Sequence, residues 1–169
     1  TPHAILAELG VPVQRVVALS GPSFAAEVAS GQPTAVVAAG SDRTRVQHVR
    51  TMFATGSFRV YSSHDIISAE FGGALKNVIA IATGIAQAIS VGDNTRAMVI
   101  TRGLSELSRL GVAMGGKRRT FAGLAGTGDL IATCTSPQSR NRTVGYELGQ
   151  GRTIKEIINE MFMVAEGVN

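Results

Sequence analysis

Two kinds of apolar pattern follow one another along this chain, and they predict two kinds of architecture. Up to about residue 63, short runs rich in β-branched residues alternate with amphipathic segments, and glycine or proline separates them. Short apolar runs predict strands, and their alternation with helices is typical of a doubly wound α/β sheet. We expect strands at 15–20, 33–40 and 58–63, and helices at 2–9, 24–31 and 41–56.

Beyond residue 63 the pattern predicts only helices and loops. The longest helix is expected at 65–89, and a turn at 91–94 follows it. Asp129 is a candidate N-cap for a helix that begins at Leu130. Further helices are expected at 95–110, 139–148 and 154–163, with a glycine-rich, partly irregular stretch at 111–128. We therefore divide the chain into an α/β part, 1–63, and an all-α part, 64–169.

Composition narrows the class of protein. The chain has 169 residues, of which 44% are hydrophobic and 17% charged, so it can build a core and is not a disordered chain. The net charge of +4 suits an anionic small ligand as well as nucleic acid, but aromatic residues make up only 5%, which does not favour a nucleic-acid surface. The single cysteine, Cys134, excludes an internal disulfide and favours a reducing cytoplasm.

We detect no signal peptide, and the most apolar run, 78–90, is short and interrupted, so we expect no membrane insertion.

A lysine in the most apolar part of the chain is the main candidate for chemistry. The segment 66–90 contains two charged residues, Glu70 and Lys76. Burial disfavours the charged form of an ammonium group, so a buried lysine is a candidate proton-transfer group. The alternative is a lysine at the edge of the apolar face, with its stem buried and its head in water. Gly72 and Gly73 share its helix face, which suggests that another group must approach closely.

Several familiar motifs are absent. The segment 111–118 approaches a phosphate-binding P-loop, but it ends in Arg118 and follows a helix instead of a strand. No G-x-G-x-x-G fingerprint occurs, so the pyrophosphate loop of a dinucleotide site is not in this sequence. The three histidines and Cys134 lack the spacing of metal ligands, and we predict no metal site. Ser23 does not lie in a nucleophile elbow.

Two polar clusters remain open to either a functional or a structural interpretation. SRNR at 139–142 places two arginines at a predicted helix start, where a phosphate could bind the guanidinium fork and the free N–H groups. The same cluster could be a solvated turn. Asp129 follows two glycines in GTGDLIATC at 126–134, and it could be a plain N-cap.

Taken together, six segments occur in an order that characterises one family. They are SGPSFAAEVA (20–29), GGALKNVIAIATGI (72–85), NTRAMVITRGLSE (94–106), GLAGTGDLIATC (123–134), SRNRTVG (139–145) and VAEGV (164–168). The chain resembles the NAD(P)-dependent glycerol-3-phosphate dehydrogenases of the soluble, bacterial type, from about Val13 onward. The resemblance implies an α/β segment, the C-terminal part of a Rossmann domain, followed by an all-α substrate domain. It also implies a longer parent protein, with the G-x-G-x-x-G half upstream of Thr1, so that the isolated chain would be inactive.

The family's reaction interconverts dihydroxyacetone phosphate and sn-glycerol 3-phosphate, which feeds glycerophospholipid synthesis. The resemblance implies that Lys76 is the proton donor or acceptor and that Asp129 holds its ammonium. The implied substrate-binding residues are Gly21, Ser23, Lys76, Asn77, Asp129, Thr133, Ser139, Arg140 and Asn141. The implied cofactor-binding residues are Ala25, Arg140, Val164 and Glu166, with NAD or NADP as the cofactor. Thr127 stands where the family usually has an apolar residue, which affects nothing catalytic.

Two alternatives remain. One is a related two-domain dehydrogenase that acts on another phosphorylated or hydroxy-acid substrate. The other is a basic helical module that binds nucleic acid through GKRR at 116–119 and SRNR. The resemblance implies a small-molecule substrate, no nucleic acid and no membrane insertion, and the sequence leaves a homodimer possible.

Overall fold

A computed structural model of the chain describes residues 1–161 and 165–168. The strands are β1 (Ala18–Ser20), β2 (Thr34–Ala39) and β3 (Phe58–Ser63). The helices are α1 (Pro2–Glu8), α2 (Ala25–Ala29), α3 (Arg43–Phe53), α4 (Ile66–Ala88), α5 (Gly92–Ala113), α6 (Arg118–Phe121), α7 (Asp129–Thr135), α8 (Arg140–Gly149) and α9 (Ile154–Glu160). A π-helical turn, Leu124–Gly128, leads into α7, and short 3₁₀ turns lie at Val13–Arg15 and Glu166–Val168.

The three strands form one sheet in the order β1-β2-β3. β2 and β3 run parallel and are joined through α3, as the alternating pattern predicts, but β1 runs antiparallel to β2. The physical reason is the length of α2, which at five residues spans about 7.5 Å. For β2 to run parallel to β1, the connection between them would have to carry the chain back along the whole length of β2, whose six residues extend about 20 Å. The chain therefore enters β2 near the end at which it left β1.

Most of the predicted elements are confirmed, and the differences have local causes. Asp42 caps α3, and Asp65 caps α4, each by accepting from a backbone N–H three residues later. The turn expected at 91–94 is shorter, because Ser90 adopts a positive φ of 59° and α5 begins already at Gly92. The last helix ends at Glu160, earlier than the expected end at residue 163, because Met161 adopts an extended backbone with ψ 121°. Residue 163 itself lies outside the described residues.

Helix α4 is the central element of the helical part. Its residues pack mainly against α8, α5 and α7. By length and composition alone α4 could cross a membrane, with a mean hydropathy of 1.3 over its most apolar window, although 44% of that window is buried inside the fold. The burial reflects its packing as a core helix. Ala69, near its start, contacts Ala39 of β2 and Ala125 of the π-helical turn, which joins the sheet to the helices.

Glycines allow α4 to touch its neighbours backbone to backbone. A Cβ atom at Gly84 would overlap the carbonyl oxygen of Arg142, and one at Gly145 would overlap the carbonyl oxygen of Ile81. The two glycines thus face each other across the α4–α8 contact from opposite sides. Any larger side chain at either position must push the two helices apart.

The start of α4 is tied to the segment before α6 by one buried carboxylate. Asp65 accepts hydrogen bonds from the Ser68 and Lys117 N–H groups, at 3.1 and 3.0 Å, and from the Thr120 hydroxyl at 2.6 Å. Burial alone would raise the pKa of Asp65, but these hydrogen bonds outweigh it and hold the pKa below its usual value. Glu70, also buried, accepts from the backbone N–H of His3 at 3.1 Å and lies 2.6 Å from Nδ1 of the His3 ring.

We expect Gly145→Ala to destabilise the protein by about 2–4 kcal/mol, because the added methyl group must separate two backbones that are in contact. Chemical denaturation measures the change in free energy of unfolding. Gly56→Ala is the matched control: a Cβ there meets open space, and we expect a change below about 0.5 kcal/mol. Equal effects of the two variants would contradict the close α4–α8 contact.

We expect Asp65→Asn to destabilise the protein by about 1–3 kcal/mol at neutral pH, since an amide cannot accept from both Lys117 and Thr120 while it caps α4. Because the pKa of Asp65 is lower in the folded than in the unfolded protein, the ionised carboxylate stabilises the fold at pH values above the unfolded-state pKa. That stabilisation is lost as the pH falls through the folded-state pKa. The difference between wild type and variant should therefore shrink on acidification below about pH 4. Asp42→Asn, at an exposed cap where asparagine serves equally well, should change stability little. A difference that stayed constant into acid would refute this role of the carboxylate.

Candidate active site

A cavity of about 330 Å³ lies where the α/β part meets the helices. One wall is the loop after β1, and the opposite walls are α4, α7 and the start of α8. Its lining residues are Gly21, Pro22, Ser23, Phe24, Gly73, Lys76, Asn77, Asp129, Ala132, Thr133, Gln138, Ser139, Arg140, Asn141 and Glu166. The cavity therefore collects side chains from segments that are more than a hundred residues apart in the sequence.

Lys76 points into this cavity and forms an ion pair there. Its Nζ lies 2.5 Å from Asp129 Oδ2, and the side chains of Lys76 and Asp129 are 18% and 9% exposed. Thr133, one turn along α7, donates to the backbone oxygen of Asp129 at 2.7 Å and lies 3.3 Å from its Oδ1. The lysine head is therefore held by a carboxylate that is itself oriented. The alternative of an ammonium at the edge of the fold, free in water, is wrong.

Asp129 does not cap a helix, contrary to one of the two interpretations of the sequence. The π-helical turn Leu124–Gly128 runs directly into α7, so Gly128 is already helical, with φ −62° and ψ −49°. The chain therefore offers no free N–H groups at that point for an aspartate to cap. Since its side chain is not used by its own helix, Asp129 is available to Lys76 across the cavity.

The two adjacent glycines of α4 have different roles. Gly72 is buried against backbone, because a Cβ there would overlap the carbonyl oxygen of Ala125. Gly73 lines the cavity, and a Cβ there would have Ser20 Oγ as its nearest neighbour, at 3.7 Å. The close approach that the glycine pair predicts is thus made by protein at Gly72, and only Gly73 leaves room for a ligand.

The start of α8 brings the SRNR cluster to the cavity. Ser139 caps the helix by accepting from the Arg142 N–H at 3.2 Å, and it is 3% exposed. Arg140 Nη2 lies 2.5 Å from Glu166 Oε1. Asn141 donates to Glu166 at 3.3 Å and accepts from the Gly167 N–H at 2.8 Å. The cluster is therefore not a freely solvated turn, and its members hold the segment around Glu166 against α8.

The loop after β1 supplies the facing wall. Gly21 has φ +145°, and a Cβ there would lie 3.0 Å from the Cα of Val36, so only glycine fits without strain. The Ser23 hydroxyl donates to the Gly21 carbonyl at 3.1 Å. Ser20, at the end of β1, donates to the Ala69 carbonyl of α4 at 3.0 Å and fixes the base of this loop.

The cavity brings together nearly all of the residues that the resemblance implies. Ala25 is the exception among those described, because it begins α2 and does not line the cavity. Val164 lies outside the described residues. Sequence reasoning missed Pro22, Phe24, Ala132 and Gln138, which lie within or beside the quoted motifs and carry no chemical signal of their own.

The charges of the cavity are balanced in pairs. Its two cations, Lys76 and Arg140, each have a carboxylate partner, Asp129 and Glu166. The start of α8 adds the partial positive charge of a helix N-terminus. Within 1–161 and 165–168, no group of three or more histidine, cysteine, aspartate or glutamate side chains could hold a metal ion. The arrangement can hold an anionic group beside Arg140 and exchange a proton at Lys76.

Two family models match the chain. The model of the NAD-dependent glycerol-3-phosphate dehydrogenase C-terminus matches residues 65–169, and that of the N-terminus matches residues 2–46. The chain belongs to the NAD-dependent glycerol-3-phosphate dehydrogenase family. The resemblance drawn from its motifs is thereby confirmed.

Individual relatives agree with this family. The chain is 59% identical to a glycerol-3-phosphate dehydrogenase [NAD(P)+] of Citrifermentans bemidjiense over 92% of its length, and 55% identical to that of Moorella thermoacetica over 97%. These matches cover 46% and 48% of the two relatives, so the chain spans about half their length. The crystal structure of glycerol-3-phosphate dehydrogenase from Coxiella burnetii matches with a TM-score of 0.88 and 45% identity, over 90% of this chain and 47% of that one. The likeness confirms the predicted fold class, a sheet segment followed by a helical part.

Cys134, on α7 behind the cavity, should be unreactive in the folded protein. It is 1% exposed, and burial raises the pKa of its thiol to about 11, against a small opposing effect from Thr83 and Lys76. We expect iodoacetamide at pH 8 to label it at least about a hundredfold more slowly in the folded than in the unfolded protein, because the thiolate is the nucleophile. Labelling followed by mass spectrometry, with and without denaturant, measures this ratio. Comparable rates in both states would show that α7 does not bury the thiol as described.

Proposed function

We propose that the protein interconverts dihydroxyacetone phosphate and sn-glycerol 3-phosphate with NAD(P)H, and that Lys76 is its proton donor and acceptor. The observation that carries the proposal is the Lys76–Asp129 ion pair, which faces a cavity next to Arg140. The family gives the reaction, because relatives that carry the name glycerol-3-phosphate dehydrogenase [NAD(P)+] are more than half identical to this chain.

The phosphate end of the substrate binds at the start of α8. Arg140 offers a planar fork that can bind a phosphate with two hydrogen bonds, and the helix N-terminus favours a negative charge. The hydroxyl of Ser139 and the amide of Asn141 lie on the same wall of the cavity. Ser23 and Gly21 supply polar groups from the opposite wall. The substrate lies between these walls, with its C2 oxygen toward Lys76.

Lys76 handles the proton of the C2 oxygen. In the direction of reduction, carbon 2 gains a hydride and the carbonyl oxygen gains a proton from the Lys76 ammonium, which leaves a neutral amine. In the reverse direction the neutral amine accepts the hydroxyl proton. Asp129 holds the amine in place through Oδ2, while its Oδ1 lies 3.3 Å from the Thr133 hydroxyl, and Asn77 lies beside Lys76 on the cavity wall. Fixed geometry of this kind is what general acid–base catalysis requires.

NAD or NADP supplies or accepts the hydride when it is bound. The exposed edge of the cavity at Arg140 and Glu166 carries both a cation and a carboxylate, which fits the polar groups of a nucleotide. We assign cofactor contacts to Arg140, Glu166, Ala25 and Val164, following the family. The sequence itself contains no pyrophosphate-binding fingerprint, so these residues can hold only part of the cofactor.

The chain divides, in this proposal, into a nucleotide-domain part, 1–63, and a substrate domain, 64–169. Support comes from the end of β3 at Ser63, after which the described chain is helical, and from the C-terminal family model, which begins at residue 65. The substrate cavity lies at the junction of the two parts. We place the enzyme in the cytoplasm, with a small-molecule substrate.

The test is the oxidation of NADH and NADPH by the full-length protein on addition of dihydroxyacetone phosphate. We expect Lys76→Ala to lower kcat by about 10²–10⁴-fold, since the transition state loses its proton donor. We expect Asp129→Asn, which preserves the shape but removes the charge that holds the ammonium, to lower kcat as well. Absorbance at 340 nm follows the reaction.

Lys155→Ala is the matched control, because Lys155 lies exposed on α9 away from the cavity and its loss should leave the rate unchanged. Circular dichroism must show that each variant is folded. Undiminished oxidation by folded Lys76→Ala would remove Lys76 from the chemistry. No oxidation of either cofactor by the folded wild type would refute the proposed reaction.

A further inference from the structure

One polar contact at the cavity lies outside the buried core and has no part in the proposed chemistry. The side-chain amide of Gln138 donates from Nε2 to Glu27 Oε1 at 2.6 Å. The two residues are 111 positions apart in the sequence, and both are exposed. Glu27 lies in α2, and Gln138 immediately precedes Ser139, the N-cap of α8.

This contact lies at the rim of the substrate cavity. Gln138 lines that cavity, and it also lines a neighbouring cleft whose other walls include Glu27, Ser30 and Pro33. The hydrogen bond between Gln138 and Glu27 therefore stands between the two spaces. Within the described chain it is the one side-chain hydrogen bond that links α2 to the segment before α8.

The two walls that it joins are those that face the substrate. α2 continues directly from the loop Gly21–Phe24, and α8 begins with the Ser139–Asn141 cluster. The base of the loop is already fixed by the bond from Ser20 to the Ala69 carbonyl at 3.0 Å. Glu27 and Gln138 are both exposed, and their hydrogen bond joins the two walls at the mouth of the cavity.

The local backbone supports this geometry on the helical side. The Ser136 hydroxyl accepts from the Gln138 N–H at 3.1 Å, and the Ser139 N–H donates to the Ser136 carbonyl at 3.2 Å. These bonds fix the direction in which Gln138 leaves the chain, one residue before the phosphate-binding cluster. A shift at Gln138 would therefore be transmitted to Ser139 and Arg140.

We propose that Glu27 and Gln138 form a clamp of two positioning residues that holds the Gly21–Phe24 loop against the start of α8 and so sets the affinity for the phosphorylated substrate. The proposal rests on the proposed function, because it concerns the same cavity. Neither side chain takes part in the chemistry. Each acts on substrate through the wall that it positions.

The test is a double-mutant cycle in the full-length enzyme with Glu27→Ala, Gln138→Ala and the combined variant. We expect each single variant to raise KM for dihydroxyacetone phosphate by about three- to tenfold, the range for one hydrogen bond of ordinary net strength between solvent-exposed groups, with kcat within about twofold. The combined variant should be no worse than either single one, because both remove the same contact. Gln138→Glu, which sets two carboxylates against each other, should raise KM at least as much as Gln138→Ala.

Gln150→Ala is the matched control, since Gln150 is another exposed glutamine that donates from Nε2, here to the Ala88 carbonyl away from the cavity. Its KM should equal that of the wild type. A clamp that only stabilised the fold would lower the melting temperature and leave KM unchanged, and that result would overturn the proposal. The proposal would also be overturned if adding Gln138→Ala to Glu27→Ala raised KM by the same factor as Gln138→Ala alone. Gln138 would then act on the ligand directly and not through Glu27.

Failure of the proposed function can be told apart from failure of the clamp. If the wild type does not oxidise NADH or NADPH with dihydroxyacetone phosphate, the proposed reaction is wrong. In that case the affinity of the wild type and the same three variants for inorganic phosphate is measured instead. Phosphate is titrated while the Arg140 and Asn141 side-chain signals are followed by NMR. Weaker phosphate binding in both single variants, without further loss in the combined one, supports the clamp, and unchanged binding refutes it.

Discussion

Close backbone contact between α4 and the elements around it is the constraint on which the rest of this structure depends. Gly72 touches the π-helical turn before α7, and Gly84 and Gly145 bring α4 and α8 together. Contacts of this kind leave no room for side chains between the elements, so the positions of α7 and α8 relative to α4 are fixed by the backbone itself. Lys76 lies on α4 between these contacts. Its distance to Asp129 on α7, and to Arg140 on α8, follows from them.

Electrostatics then determines what the small gap between these helices can hold. Removing an ammonium and a carboxylate from water is costly unless they meet with good geometry, and the 2.5 Å contact between Lys76 and Asp129 meets this condition. A pair of this kind contributes little to stability by itself, whereas it keeps a proton-carrying amine at a defined point. At the rim, Arg140 and Glu166 form a second, more exposed pair. The cavity thus combines a buried ion pair in its interior with a more exposed pair at its rim.

The order of elements and most of their bounds could be predicted, since they are decided by local features. The strand 58–63 follows directly from its apolar pattern, and α4, expected from residue 65, begins at Ile66. The antiparallel direction of β1 could not be predicted from the pattern, because it depends on how far a five-residue helix carries the chain. The first residue of α5 also differed, because Ser90 adopts a positive φ that its residue type does not favour.

By itself the sequence determined the family, through six ordered motifs, and it singled out Lys76 as an ammonium in an apolar helix. It also determined that no pyrophosphate fingerprint lies in this chain. The tertiary structure decided which interpretation of each ambiguous residue holds. Asp129 bonds Lys76 instead of capping α7, because the preceding π-helical turn leaves no free N–H groups there. Gln138 and Glu27 meet only because packing brings together two segments that are 111 residues apart, a relation that no local pattern records.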